Sequence, residues 1–396
     1  MRRPLDGVTV IDLGQIYNGP YATFLMAMAG AKVIKIEPPE GEKMRRRGAV
    51  GGAMLPFAML NSNKQFVTLN LKSPVGLALL HRMVAKADIV LENFAPGTMD
   101  RLGAGYETLR ALNPRLIYAA GTGYGSYGPN RDMLAMDLTV QAMAGVMAST
   151  GFPDRPPVKA GPALCDFFGG IHLYGAVMTA LVRRERTGEG SQVEVSMLES
   201  VYPALSSTLG LYYGLGGENP PRTGNRHGGM AEAPYNVYPC SDGWVAMLCV
   251  SDKHWEGLAA AMGRPDMLRD PRFVDLQARV NNIDALDTLI GEWTGSLTKD
   301  ALVAVLRAQR IPYAPVREID EVVNDAHMHA RGTLRRVDHP DLGTVVLPAG
   351  PMIFPGSEGV ELVPSKGLGA DNAVVYGDWL GVSPEELVAL VEQGVI

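Results

Sequence analysis

The first third of the chain alternates short runs of β-branched and aliphatic residues with longer stretches that mix apolar and polar positions. Val8-Thr9-Val10-Ile11-Asp12-Leu13 has the pattern of a buried strand. Asn18-Gly19-Pro20 then opens a helix with proline at an early helical position, and Gly30 closes it. Residues 32–36 form a second apolar run, stopped by Pro38-Pro39. This is a βαβ unit, which predicts parallel strands and a right-handed crossover. The alternation repeats with a strand at 66–71, a helix at 75–87 opened by Ser73-Pro74, a strand at 88–92, another helix, and a strand at 116–120. Alternation on this scale predicts a doubly wound α/β sheet. Ligands of such sheets bind beyond the carboxyl ends of the strands, here in the loops after Leu13, Ile36, Leu71, Glu92 and Ala120.

None of those loops carries a G-x-G-x-x-G or a P-loop, so there is no fingerprint of a nicotinamide or ATP enzyme. Gly121-Thr122-Gly123-Tyr124-Gly125 reads as a turn. From Asn219 to Gly229 the chain is rich in turn formers, which marks a boundary. A strand at 243–250 follows, then a helical stretch to Arg310 with breaks at Gly263-Arg264-Pro265 and Asp270-Pro271. Short strands return from 311 to 355. The pattern predicts a smaller inserted domain, after which the chain comes back to the first.

A length of 396 residues is ample for a large core, and 46% apolar with 20% charged residues is ordinary for a globular protein. The net charge of −6 leaves no footprint for nucleic acid. Arg45-Arg46-Arg47 is the densest basic run, either a solvated loop or a contact for an anionic ligand. Cys165, Cys240 and Cys249 show no metal or redox spacing and imply reduced thiols in a cytoplasmic protein. His327-x-His329 is too sparse for a metal site, so no metal is expected. The start lacks an apolar signal region. The apolar stretch 167–182 is too short for a membrane span and carries His172 and three glycines, so it reads as a core helix.

The most informative stretch is Gly161-Pro162-Ala163-Leu164-Cys165-Asp166-Phe167-Phe168-Gly169-Gly170. It holds one carboxylate at the mouth of a helix, where the dipole favours the ionised form. Such a group is either an N-cap or a carboxylate nucleophile for acyl transfer. Cys165 beside it reads as a small buried thiol.

Several segments carry a resemblance. They are Pro4-Leu5-Asp6-Gly7, Gly19-Pro20, Ile34-Lys35-Ile36-Glu37, Asn61-x-Asn63-Lys64, Glu92-Asn93-Phe94-x-Pro96-Gly97 and Leu112-Asn113-Pro114-Arg115. Asp166, Arg186-Thr187-Gly188-x-Gly190, Gly224-Asn225-Arg226-His227 and Ala233-Pro234-Tyr235 complete the set. In this order, over nearly the full length, they resemble the class III CoA-transferases, the group that includes formyl-CoA transferase and the alpha-methylacyl-CoA racemases. The resemblance implies a Rossmann-like large domain from residues 1–224 and 320–396, a small α/β domain at 225–319, and an interlocked homodimer. It implies coenzyme A and its acyl thioesters as substrates, a carboxylic acid as partner, and no tightly bound cofactor. Asp166 would be the acyl-accepting aspartate, and Gly228 and Gly229 would lie in a mobile loop over the site; an ordinary interdomain turn reads equally well for those glycines. Ile16, Leu69, Asn93, Phe94 and Arg101 match positions that line the coenzyme groove.

The substrate end departs from formyl-CoA transferase. Tyr17 stands where that enzyme has glutamine, Pro38 where it has arginine and Met136 where it has tyrosine. The racemase branch pairs its aspartate with the histidine of a Gly-His-Asp triplet, because proton exchange at carbon needs two opposed bases. Here the triplet is Ala135-Met136-Asp137, and methionine carries no proton. His172 is the nearest substitute and reads as a core histidine. A CoA-binding protein without catalysis would not need the acid at Asp166. Arg46, Arg226 and His227 are candidates to grip a second carboxylate, which points to a short dicarboxylate acceptor.

Overall fold

The structure is a computed structural model and describes residues 3–46, 54–356 and 360–396. Arg47 of the basic run lies outside the described residues. The chain divides into two compact units. One comprises residues 1–140, 162–201 and 323–396, and the other residues 141–161 and 202–322.

In the first unit the expected alternation is present. Strands β1 (Thr9–Asp12), β2 (Lys32–Glu37), β3 (Lys64–Thr68), β4 (Ile89–Glu92), β5 (Ile117–Thr122) and β6 (Ser191–Ser196) form one sheet in the order β3-β2-β1-β4-β5-β6. All its pairings are parallel. This is the doubly wound order, with its switch point between β1 and β4. Strand residues alternate between two cores, as a period of two requires. Val10, Ile89 and Ile117 face one core with Ala22, Met26, Leu173 and Val177. Ile11, Val90 and Tyr118 face the other with Leu80, Val84, Val375 and Tyr376.

Helices α1 (Asn18–Met28), α2 (Leu55–Asn61), α3 (Pro74–Val84), α4 (Thr98–Arg101) and α5 (Tyr106–Leu112) connect the early strands. Then come α6 (Asp137–Met143), α7 (Val146–Ser149) and the long α8 (Leu164–Thr187). At 24 residues α8 is longer than the apolar stretch suggested, and it passes the length and apolarity test for a membrane span. It nevertheless packs on α1, β5 and β6, burying Leu173, Val177, Ala180 and Leu181. Arg184 near its end pairs with Asp88 at 2.9 Å, and Asp88 also accepts the backbone N–H of Thr9 at the start of β1.

Two strands differ from expectation. The third begins at Lys64 rather than Phe66, because its first residue is a buried cation rather than an apolar one. Strand β6 carries a polar alternation, Ser191-Gln192-Val193-Glu194-Val195-Ser196, typical of a sheet edge. The opposite edge, β3, is covered by the returning chain: Asp371 and Asn372 side chains accept the N–H groups of Phe66 and Thr68.

The second unit holds an antiparallel sheet of β7 (Tyr235–Cys240), β8 (Gly243–Leu248) and β9 (Tyr313–Pro315). Its core gathers Trp255, Phe273, Leu286, Ile290, Leu302 and Leu306 from the expected helical stretch.

Candidate active site

A cavity of about 680 Å³ opens at the carboxyl ends of β1, β4 and β5, at the switch point of the sheet. Its size suits a substantial ligand. The loop after β1 contributes Gln15, Ile16 and Asn18; the loop after β4 contributes Asn93 to Pro96 and then Arg101; the end of β5 contributes Gly121 to Gly125. Residues 131–136, Lys43, Met197 and Asp166 complete the wall.

Asp166 is the third residue of α8 and is 6% exposed. It is not the N-cap: that position is Ala163, whose side chain has nothing to cap with. The helix end is capped from a distance instead. Asp137 Oδ1 accepts the backbone N–H groups of Cys165 at 2.8 Å and Asp166 at 3.3 Å. These are among the N–H groups every helix start leaves unpaired. Asp137 therefore fixes the backbone that carries Asp166. Burial, with Asp137 and Asp166 nearby, pushes the Cys165 thiol up to about 12, so it stays a protonated core thiol.

The loop after β1 is braced from below and from the side. Asp12 Oδ1 accepts the N–H of Gly14 at 2.8 Å, and its Oδ2 takes bonds from Thr23 at 2.7 Å and Lys64 at 2.8 Å. Burial pushes Asp12 up, but Lys64 and Lys35 outweigh it and hold the carboxylate below its ordinary value. Lys35, fully buried, donates to Gly14 O and to Glu42. From the side, Asn93 grips the Gln15 peptide twice, accepting its N–H at 2.7 Å and donating to its carbonyl at 2.9 Å. Between these ties Ile16 is held at φ +63°, a conformation strained for a β-branched residue.

Glu92, at the end of β4, is buried. Its carboxyl accepts the N–H of Phe94 at 2.7 Å and the Tyr118 hydroxyl at 3.2 Å. Burial, opposed by those two bonds, pushes it up to about 7. It lines a neighbouring cavity of about 340 Å³ that shares Phe94, Ala95, Pro96, Thr122 and Arg131 with the first.

The cavity thus brings together Asp166, Ile16, Asn93, Phe94, Arg101 and Met136 from the sequence reading. Leu69 is buried in the core at 1% exposure. Tyr17 is not among the residues lining the cavity and stacks on Phe167 with ring centroids 6.0 Å apart. The Arg46 guanidinium turns back onto the carbonyls of Glu40 and Gly41. In the second unit Arg226 pairs with Asp284 at 2.6 Å and Asp287 at 2.8 Å. His227 Nδ1 accepts the N–H groups of Gly229 and Ala231, and Gly228 and Gly229 lie against Thr208 and Ser207. Sequence reasoning did not single out Asn18, Tyr124 or Lys43, and gave Asp137 no supporting role. The Gly121–Gly125 run, read as a turn, is part of the cavity wall.

Comparison with known proteins shows the family of the chain. The model of CoA-transferase family III matches residues 5–372. Succinyl-CoA--D-citramalate CoA-transferase of Chloroflexus aurantiacus is 37% identical, covering 100% of this chain and 98% of that protein. Acetyl-CoA:oxalate CoA-transferase of Acetobacter aceti is 38% identical over 89% of this chain and 90% of its own. Among solved structures, a CAIB/BAIF family protein from Brucella suis superposes with a TM-score of 0.84 at 33% identity, covering 96% of this chain and 100% of that one. The chain belongs to CoA-transferase family III.

Proposed function

We propose that this CoA-transferase moves coenzyme A between an acyl-CoA and a short dicarboxylic acid by covalent catalysis at Asp166. The observation that carries the proposal is a carboxylate in the first turn of a long helix, buried in the wall of a cavity at the switch point of the sheet. A carboxylate is one of the few side chains that can pass through both an anhydride and a thioester. Its attack on the thioester carbonyl expels CoA thiolate and leaves an aspartyl–acyl anhydride. The thiolate then attacks the aspartyl carbonyl, the first acid leaves, and an aspartyl–CoA thioester remains. The acceptor carboxylate attacks that carbonyl, giving a second anhydride and free thiolate. Attack of the thiolate on the new acyl carbonyl releases the new acyl-CoA and restores Asp166. No step consumes or releases a proton.

Phe94 offers the coenzyme an apolar face, and Arg101 and Lys43 offer its phosphates positive charge. The dicarboxylate preference draws on the names of the relatives, which act on D-citramalate and oxalate. Racemisation is disfavoured because Met136 lines the cavity where a second base would stand, while Asp137 is engaged with the backbone of α8. The same reading makes the enzyme a cytoplasmic, interlocked homodimer with a discontinuous large domain. The exposed apolar residues Ile171 and Val182 on the outer face of α8 fit burial against a second copy.

Mass spectrometry of the enzyme trapped with succinyl-CoA and hydroxylamine, without acceptor acid, tests the mechanism. A hydroxamate confined to Asp166 is expected. An unmodified Asp166, with solvent deuterium entering the α-carbon of a branched acyl-CoA, would move the enzyme to the racemase branch.

A further inference from the structure

The proposed transfer moves no proton, yet a buried carboxyl stands at the end of β4. Glu92 is 7% exposed and directly precedes the loop that walls the cavity of Asp166. Burial pushes it up to about 7, so at neutral pH it costs the fold stability that an apolar residue in its place would not. Natural sequences accept such a cost chiefly where function requires it.

The requirement is visible in the loop that Glu92 serves. Phe94, Ala95 and Pro96 belong to the walls of both cavities, the one of about 680 Å³ and the one of about 340 Å³. A partition with open space on each side has little packing to fix it, so hydrogen bonds to its backbone must do so. At its far end the Thr98 N–H donates to the Ala95 carbonyl at 3.1 Å, where α4 begins. At its near end the holder is Glu92. Oε2 accepts the Phe94 N–H at 2.7 Å, and Oε1 accepts the Tyr118 hydroxyl at 3.2 Å. Tyr118 is itself buried in β5, with its ring edge-on to Tyr106. The carboxyl is thus a strut from the sheet to the first peptide of the partition.

We infer that Glu92 is a positioning residue for coenzyme binding: it fixes the Phe94 peptide and so keeps the partition where acyl-CoA meets it. The bond to Phe94 needs an acceptor and not a charge, so glutamine can replace the carboxylate and leucine cannot. The inference rests on the proposed use of the first cavity for acyl-CoA.

Binding of free coenzyme A is measured by calorimetry on the parent, Glu92→Gln and Glu92→Leu, at about pH 8 where the carboxyl is ionised. Turnover of succinyl-CoA supplies KM and kcat. Glu92→Leu is expected to weaken coenzyme A about tenfold, the effect of one charge-assisted hydrogen bond. KM for succinyl-CoA should rise in parallel, with kcat changed by no more than about twofold. Glu92→Gln should stay within about twofold of the parent in all three. Tyr118→Phe frees one end of the strut and should weaken coenzyme A by about threefold, a readout that stands even where the leucine variant fails to fold. Unchanged affinity in Glu92→Leu, or in Tyr118→Phe where it stands alone, overturns the inference. So does a glutamine variant as weak as the leucine one, since the carboxylate would then act through its charge. A fall in kcat at unchanged affinity also overturns it. A parent that does not bind coenzyme A removes the cavity as the coenzyme site, and the reading of function falls with the inference; a parent that binds beside unaltered variants leaves that reading standing.

Discussion

Replacing Glu92 by glutamine is expected to remove the loss of stability that the Glu92 carboxyl brings as pH rises from acid to neutral. In the folded chain burial lifts the Glu92 carboxyl from its ordinary value of 4.5 to about 7. Below pH 4.5 the group is protonated whether the chain is folded or not, and its contribution is fully present. Above that point the unfolded chain gives up the proton first, so folding becomes less favourable until the folded group ionises near 7. The gap between 4.5 and about 7, at about 1.4 kcal/mol for each tenfold, amounts to about 3 kcal/mol lost across this window. Glutamine fits the same place: its oxygen can accept from the Phe94 N–H, and its amide can donate to the Tyr118 oxygen. Urea unfolding of both proteins at about pH 5 and about pH 8 provides the test. The Glu92→Gln protein should gain on the parent by about 2–3 kcal/mol between these two conditions. A difference between the two proteins that does not change with pH would refute the reasoning.

Asp137→Ala strips the cap from the two N–H groups beside Asp166; it should cost about 1–2 kcal/mol in thermal or urea unfolding and lower kcat, with Asp137→Asn restoring most of both because Oδ1 remains an acceptor. Asn93→Ala removes both ties on the Gln15 peptide and releases the strained Ile16; KM for acyl-CoA should rise roughly tenfold, with a smaller change in kcat. Lys64→Met leaves Asp12 buried without its ion pair and should cost about 3–5 kcal/mol. The double variant with Asp12→Asn should recover part of that loss, and a double variant no more stable than Lys64→Met would count against the pairing.

Most of the sheet was legible because its strands are buried on both faces and therefore appear as continuous apolar runs. The exceptions follow from the same physics. Lys64 begins β3 as a buried cation whose partner, Asp12, is 52 residues away, and no local pattern announces such a pair. Strand β6 lies at the edge and keeps a polar alternation. In the site, Asp166 stood out as a lone acid among apolar and glycine residues. The contact that caps its helix reaches back 28 residues to Asp137, beyond any local signal. Asn18 and Tyr124 were not singled out from sequence, because lining this cavity is a property of the fold and not of any local pattern. Leu69 and Tyr17 were read as site residues from the resemblance; in the fold, one is buried in the core and the other stacks on Phe167.

Helix α8 is fastened by an acid near each end, Asp137 on its first N–H groups and Asp88 on Arg184. Asp166 therefore rides on a rod of about 36 Å whose register is set by packing along its whole length rather than by a loop. The rest of the cavity wall comes mainly from the loops after β1, β4 and β5 and from residues 131–136. On the proposed mechanism, mounting the nucleophile on this helix and the rest of the cavity wall on loops lets the loops change while the carboxylate stays in place. A lineage built this way can switch from one acid to another by small substitutions in its loops, with no need to reinvent the reaction.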